Sequence, residues 1–189
     1  MGAVGDSDED DPVRAGIIKV AGGLDRLDAL QERAFDAAAA AHLATGCPIL
    51  THTEQGTAGM EQVERLALRS VPPGRVILSH VDRVPDVEYH RRLLDTGVNL
   101  EYDSGFRWKE GNLTIELLQQ LLPQYPTQLL VGMDAARNSY WSSFGGRPGL
   151  AWLMTDFREM LRGMGLDEDL LVNLFVQNPA RAFAFTKPV

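Results

Sequence analysis

The chain has 189 residues, of which 44% are hydrophobic and 23% charged, enough for one domain or a large part of a bigger one. The net charge of −8 argues against nucleic-acid and anionic-membrane partners, and no apolar run reaches the roughly 20 residues of a transmembrane helix. The acidic N-terminus does not resemble a signal peptide. Cys47 is the single cysteine, which excludes an internal disulfide and favours a reducing compartment, the cytoplasm.

Residues 1–14 are acidic and lack periodicity, so we predict a disordered or loop segment followed by one domain over residues 15–189. In that domain, short apolar runs of strand length alternate with longer amphipathic stretches. The predicted strands are residues 16–20, 48–52, 76–80, 98–102 and 129–134. The predicted helices are residues 25–45, 59–70, 86–96, 113–122, 150–163 and 167–175, with a closing turn at 178–185.

Strands that alternate with helices predict the α/β class, with right-handed βαβ units and a parallel sheet. Five such units fit an open doubly wound sheet or part of a (βα)8 barrel. A complete barrel takes about 250 residues, which exceeds this chain. A nucleotide-binding sheet is disfavoured because neither Gly-x-Gly-x-x-Gly nor a P-loop follows any of the predicted strands.

Metal-competent side chains stand at or near the ends of four predicted strands: Lys19, His52, His80 and Asp134. The carboxyl ends of parallel strands meet on one face, so these residues are expected to be neighbours. Two imidazoles and a carboxylate suit zinc or a similar divalent ion. A lysine can join them only when it is deprotonated or converted to a carbamate.

Each of these residues also has a structural interpretation. A single strand-end histidine is more often a hydrogen-bonded core or loop residue than a metal ligand. A strand-end aspartate is often the N-cap of the next helix. The metal hypothesis rests on all four standing in register. His42 and His90 lie inside predicted helices and are expected to be surface or packing residues, and Cys47 is expected to be a small buried residue.

The sequence resembles the phosphotriesterase family of the amidohydrolase superfamily over nearly all of residues 14–185, and within it the phosphorylated sugar-lactone hydrolases. The motifs that carry the resemblance, one βα unit apart, are Arg14–Val20, Thr51-His52-Thr53 with Gly56-Thr57, Ser79–Arg83, Gly132-Met133-Asp134 and Asn178–Arg181.

The resemblance implies the C-terminal part of a (βα)8 TIM barrel, strands four to eight, with a centre of two divalent metal ions, zinc in our assignment. Carboxylated Lys19 would bridge the ions, His52 and His80 would bind the second, and Asp134 would bind the first. The ions would provide a hydroxide that attacks the substrate, with Asp134 as the catalytic proton acceptor.

The family's first strand carries a His-x-His pair, and this sequence contains none. Strands one to three are therefore expected to be missing and the first metal site incomplete. A half-barrel exposes two sheet edges. Either the chain is a fragment or truncated gene model, or another polypeptide supplies the missing N-terminal barrel segment. In isolation, we expect the chain to form a homo-oligomer or to aggregate.

The substrate is expected to be a small molecule held by the last two loops. Lys109, Arg137 and Tyr140 match the lysine, arginine and tyrosine with which the sugar-lactone hydrolases hold a phosphate. The alternative to phosphate binding is that these three are solvated loop residues. The resemblance thus implies hydrolysis of a phosphorylated sugar lactone. Hydrolysis of an organophosphate or aryl ester is the alternative within the class, and an inactive remnant or binding module is the alternative outside it.

Overall fold

A computed structural model describes residues 15–106 and 113–188. Within these residues, five strands form one parallel sheet in the order β1-β2-β3-β4-β5: β1 (Ile18–Ala21), β2 (Ile49–His52), β3 (Val76–Ser79), β4 (Asn99–Tyr102) and β5 (Leu129–Val131). The helices are α1 (Ala29–Thr45), α2 (Gly59–Ala67), α3 (Val87–Asp95), α4 (Thr114–Leu121), α5 (Asp156–Gly163), α6 (Glu168–Val172) and α7 (Asn178–Ala182). The predicted α/β class and βα alternation are confirmed.

The first predicted helix starts four residues too early. α1 begins at Ala29 because Asp28 is its N-cap, whose carboxylate accepts hydrogen bonds from the amides of Leu30 and Gln31. The Gln31 side chain completes a capping box. α1 ends at Thr45, before Gly46 in the left-handed conformation, as predicted.

The largest departures lie near the C-terminus. The predicted helix over residues 150–163 is wrong in its first turn, a short 3-10 helix (Leu150–Leu153) that precedes α5. The closing turn predicted at residues 178–185 is instead the short helix α7, which a π-helical turn (Asn173–Gln177) connects to α6. The predicted segment 1–14 lies outside the described residues.

The two faces of the sheet differ in what covers them. Val20, Ile49, Leu78 and Leu100 belong to the main hydrophobic core together with helix residues such as Phe35. The alternate strand residues Leu50, Ile77 and Leu130 face the other side and form a small cluster with Ala182 of α7. This second, inner face would be the interior of a barrel.

Both histidines that were expected to lie within helices are buried packing residues. His42 Nδ1 lies 2.7 Å from the Cys47 carbonyl oxygen, and His90 lies 2.7 Å from the Val84 oxygen and 2.6 Å from the Tyr102 hydroxyl. Cys47 is buried, as predicted. In the part of the chain that is described, no helix has the length and apolar character needed to cross a membrane.

Helix α1 has an outward arc that is unusual for a surface helix. Its exposed positions are mostly apolar: Ala29, Leu30, Ala34, Ala37, Ala40 and Ala44, with Arg33 as the charged member. By contrast, α3 exposes Glu88, Arg92 and Asp95. A contiguous exposed apolar patch often marks a contact surface.

Candidate metal centre

A cleft of about 600 Å³ lies on the inner face of the sheet and opens at the carboxyl ends of the strands. All four predicted metal-site residues line it: Lys19, His52, His80 and Asp134. Two carboxylates that were not predicted, Glu101 and Asp103, line it as well. The tertiary structure thus brings together residues from five different strands or strand ends.

His80 follows β3 directly and is held by a buried carboxylate. Its Nδ1 lies 2.5 Å from Asp103 Oδ2, and Asp103 is fully buried. A carboxylate partner fixes the tautomer with the proton on Nδ1 and leaves Nε2 as the nitrogen for a metal ion. The backbone of His80 is in the left-handed region, with φ of 70°, a conformation that costs energy in a non-glycine residue.

Asp134 lies in the loop after β5 and is exposed at the cleft. His80, Asp103 and Asp134 each offer one ligand atom within 4.8 Å of the others. Asp103 belongs to this group through its contact with His80 Nδ1, whereas His80 Nε2 and the Asp134 carboxylate are donors of the kind that suits a divalent metal.

His52, at the end of β2, stacks edge-on against His80 with 4.7 Å between ring centroids. Its Nε2 lies 3.1 Å from Glu54 Oε2, on the loop that follows β2. The two predicted imidazole ligands are therefore adjacent, although His52 stands outside the group formed by His80, Asp103 and Asp134.

Lys19 reaches the cleft from β1, the open edge of the sheet. Its Nζ donates a hydrogen bond to the Thr51 carbonyl oxygen at 3.2 Å. Although the residue as a whole is exposed, burial of the amine end lowers the pKa of Lys19, and the negative charges of Glu101, Asp134 and Asp103 oppose this shift. A lowered pKa increases the share of neutral amine, the form that can become a carbamate.

Glu101 of β4 is a second cleft residue that the sequence analysis did not select. Its carboxylate packs over Gly132, where a Cβ atom would lie 1.8 Å from Glu101 Oε1, so any larger residue at that position would displace the carboxylate. Burial raises the pKa of Glu101 to about 7, with a further upward contribution from Asp103. The sequence could have indicated both residues, because Glu101 and Asp103 are acidic side chains at the end of the fourth strand, as Asp134 is after the fifth.

The predicted substrate residues are only partly described. Arg137 is exposed and immediately precedes a 3-10 turn, Asn138–Tyr140. Tyr140 packs edge-on against Phe106 of the neighbouring loop, with 5.1 Å between ring centroids. Lys109 lies outside the described residues.

Comparison with solved structures identifies the architecture as part of a phosphotriesterase-type (βα)8 barrel. The crystal structure of a lactonase from Listeria monocytogenes superposes with a TM-score of 0.87 and 32% sequence identity. The match covers 98% of this chain and 59% of the lactonase chain. The phosphotriesterase homology protein of Escherichia coli, solved with phosphate in its active site, superposes with a TM-score of 0.84 and 27% sequence identity. The match covers 96% of this chain and 64% of the Escherichia coli chain. The predicted partial barrel is confirmed.

The sequence comparisons identify the family. The model of the phosphotriesterase family matches residues 4–183, and the chain belongs to this family. A phospho-furanose lactonase from Mycoplasmopsis synoviae is 32% identical over 181 residues, which are 91% of this chain and 51% of that protein. The chain thus spans about half the length of this curated relative. That relative is named as a lactonase, a kind of hydrolase.

Proposed function

We propose that the complete barrel to which this chain contributes hydrolyses a phosphorylated sugar lactone at a centre of two divalent metal ions, with zinc as the metal. The observation that carries the proposal is the convergence of Lys19, His52, His80 and Asp134 on one cleft in a member of this family. The name of the Mycoplasmopsis relative, phospho-furanose lactonase, supports the substrate class.

Five of the cleft residues have a role in this proposal. His80 and His52 would hold the second ion, and Asp103 holds the His80 ring in place. Lys19, as a carbamate, would help to hold both ions. When bound, the ions would activate water and polarise the ester carbonyl. Asp134 accepts a proton from the attacking water and delivers it to the leaving oxygen of the opened lactone.

The phosphate group of the substrate would be held outside the metal centre. Arg137 and Tyr140, from the loop after β5, and Lys109, from the loop after β4, offer charge-assisted and hydroxyl hydrogen bonds. The structure of the Escherichia coli relative contains phosphate in its active site, which favours a phosphorylated substrate.

A second candidate is hydrolysis of an organophosphate or aryl ester. A relative from Saccharolobus solfataricus, 23% identical over 186 residues, is named aryldialkylphosphatase and favours this alternative. A cationic binding loop serves a phosphorylated substrate better than a neutral triester, so a paired comparison of the two substrates separates the candidates. An inactive remnant or binding module would hydrolyse neither and would bind almost no metal.

The first metal site requires two further imidazoles, and we propose that three βα units beyond the described residues provide them. In an eight-stranded barrel, the five strands of this chain would leave three positions between β5 and β1, about 19 Å along the barrel wall. A second copy with five strands does not fit this space. The apolar outward arc of α1 would pack against the helix of the neighbouring unit.

The proposed activity is tested by an Arg137→Ala change in a preparation that contains the whole barrel. The KM for a phosphorylated lactone should rise about 10- to 100-fold because a charge-assisted hydrogen bond to the phosphate is lost. The KM for the unphosphorylated lactone should stay the same. Arg147→Ala, which removes a cation from the same loop, is the matched control. Equal effects of Arg137→Ala on both substrates would refute the phosphate assignment.

A further inference from the structure

Phe106 connects the two loops at the mouth of the cleft. It follows β4 by four residues, and its ring lies edge-on to Tyr140 at 5.1 Å, with an interplanar angle of 82°. On its other side, the ring contacts Trp152 at 6.5 Å and 67°. Phe106 thus belongs to the loop after β4, whereas both of its aromatic neighbours belong to the segment after β5.

This group of rings is anchored in the hydrophobic core. Trp152 stacks on Phe157 at 5.1 Å, and Phe157 is 1% exposed and contacts Phe175 at 6.5 Å. Gly105 lies directly against Phe157, because a Cβ atom on Gly105 would be 2.9 Å from that ring. The backbone next to Phe106 is therefore pressed against a core side chain.

A buried carboxylate fixes the same loop from the opposite side. Asp82 Oδ2 accepts hydrogen bonds from the Ser104 amide at 2.9 Å and from the Thr114 hydroxyl at 2.8 Å. Asp82 lies after β3 and is buried. Because Ser104 and Gly105 are both held, the Phe106 ring has a defined position from which it can restrict Tyr140.

We propose that Phe106 is a positioning residue that sets the orientation of Tyr140 for the substrate phosphate. This inference rests on the proposed function, in which Tyr140 binds that phosphate. Tyr140 lies on a largely exposed loop and can change its rotamer about the Cα–Cβ bond, which moves its hydroxyl, and an edge-to-face neighbour favours one rotamer over the others. Phe106 itself need not touch the substrate.

The test is Phe106→Leu in a preparation that contains the whole barrel, with a phosphorylated lactone and its unphosphorylated counterpart as substrates. The KM for the phosphorylated lactone should rise about 3- to 10-fold because one aromatic pair is lost, and kcat should change little. The KM for the unphosphorylated lactone should not move. Phe106→Tyr, which keeps the ring, should restore the wild-type KM. Phe144→Leu, at an exposed phenylalanine of the loop after β5, is the matched control.

A double-mutant cycle separates positioning from a general structural effect. In a Tyr140→Phe background, Phe106→Leu should change the KM no further, because the hydroxyl it orients is gone. Should the leucine variant not fold, Phe106→Met takes its place with the same expected pattern. If the wild type has a lower KM for the phosphorylated lactone and Phe106→Leu has the same KM values as the wild type, this inference alone is overturned. A wild type that treats both substrates alike overturns the proposed function and the inference with it.

Discussion

His80 Nδ1 and Asp103 Oδ2 lie 2.5 Å apart, in a hydrogen bond between an imidazole at the cleft and a fully buried carboxylate. The pair joins the end of β3 to the end of β4. Since the carboxylate occupies Nδ1, the orientation of the ring and the nitrogen left for a metal ion are decided by a residue from the neighbouring strand.

We expect Asp103→Asn to weaken metal binding by about 10- to 100-fold, because the amide no longer fixes the tautomer and orientation of the His80 ring. Competition titration with a zinc chelator measures the change. Asp86→Asn, at the N-cap of α3, replaces one good capping residue with another and should leave zinc affinity unaltered. Unchanged affinity in Asp103→Asn would show that the pair does not orient a ligand.

The outward arc of α1 yields a prediction about association. Ala37→Arg should leave the stability of this chain almost unchanged, because the residue is exposed and arginine is a good helix former. The same change should weaken binding of a polypeptide that carries the first three βα units of a relative, by at least about 10-fold, since a charge enters an apolar helix contact.

Analytical ultracentrifugation of the mixture measures that binding. Ala67→Arg, at an exposed alanine at the end of α2, is the control and should bind like the wild type. If the chain alone forms a discrete dimer that Ala37→Arg dissociates, the arc contacts a second copy instead, and the proposal of three complementing units would be wrong.

The buried His90 should make the stability of the fold depend on pH. Burial lowers the pKa of His90, against smaller upward contributions from the Val84 hydrogen bond and Asp86. The unfolded chain therefore takes up this proton more readily, and stability is lost as the pH falls below about 6.5. One such group lowers the free energy of unfolding by at most about 1.4 kcal/mol per pH unit.

In His90→Gln, the side-chain amide can still donate to the Val84 oxygen and accept from Tyr102, so the pH dependence between about 6.5 and 5 should flatten. Urea unfolding at several pH values measures it. Val63→Ala, a change at a buried residue of α2 that alters no titratable group, should lower stability by a similar amount at every pH. A His90→Gln curve parallel to that of the wild type would assign the acid sensitivity to other groups.

The sequence predicted the order and spacing of the units because their signals are local. Apolar runs mark β1 to β5, and glycines or capping residues end or begin α1 and α3. The first turn of the helix predicted over residues 150–163 was wrong because a stretch rich in apolar residues also suits a 3-10 turn that lies against the loop. Periodicity does not separate these two conformations.

The sequence by itself determined that Lys19, His52, His80 and Asp134 meet, since parallel strands place their carboxyl ends on one face. Only the tertiary structure decided which groups restrain them. The contact of Asp103 with His80, the packing of Glu101 over Gly132 and the position of Phe106 against Tyr140 all join different strands or loops. Such contacts depend on the curvature of the sheet and the register between strands, which no local pattern of residues specifies.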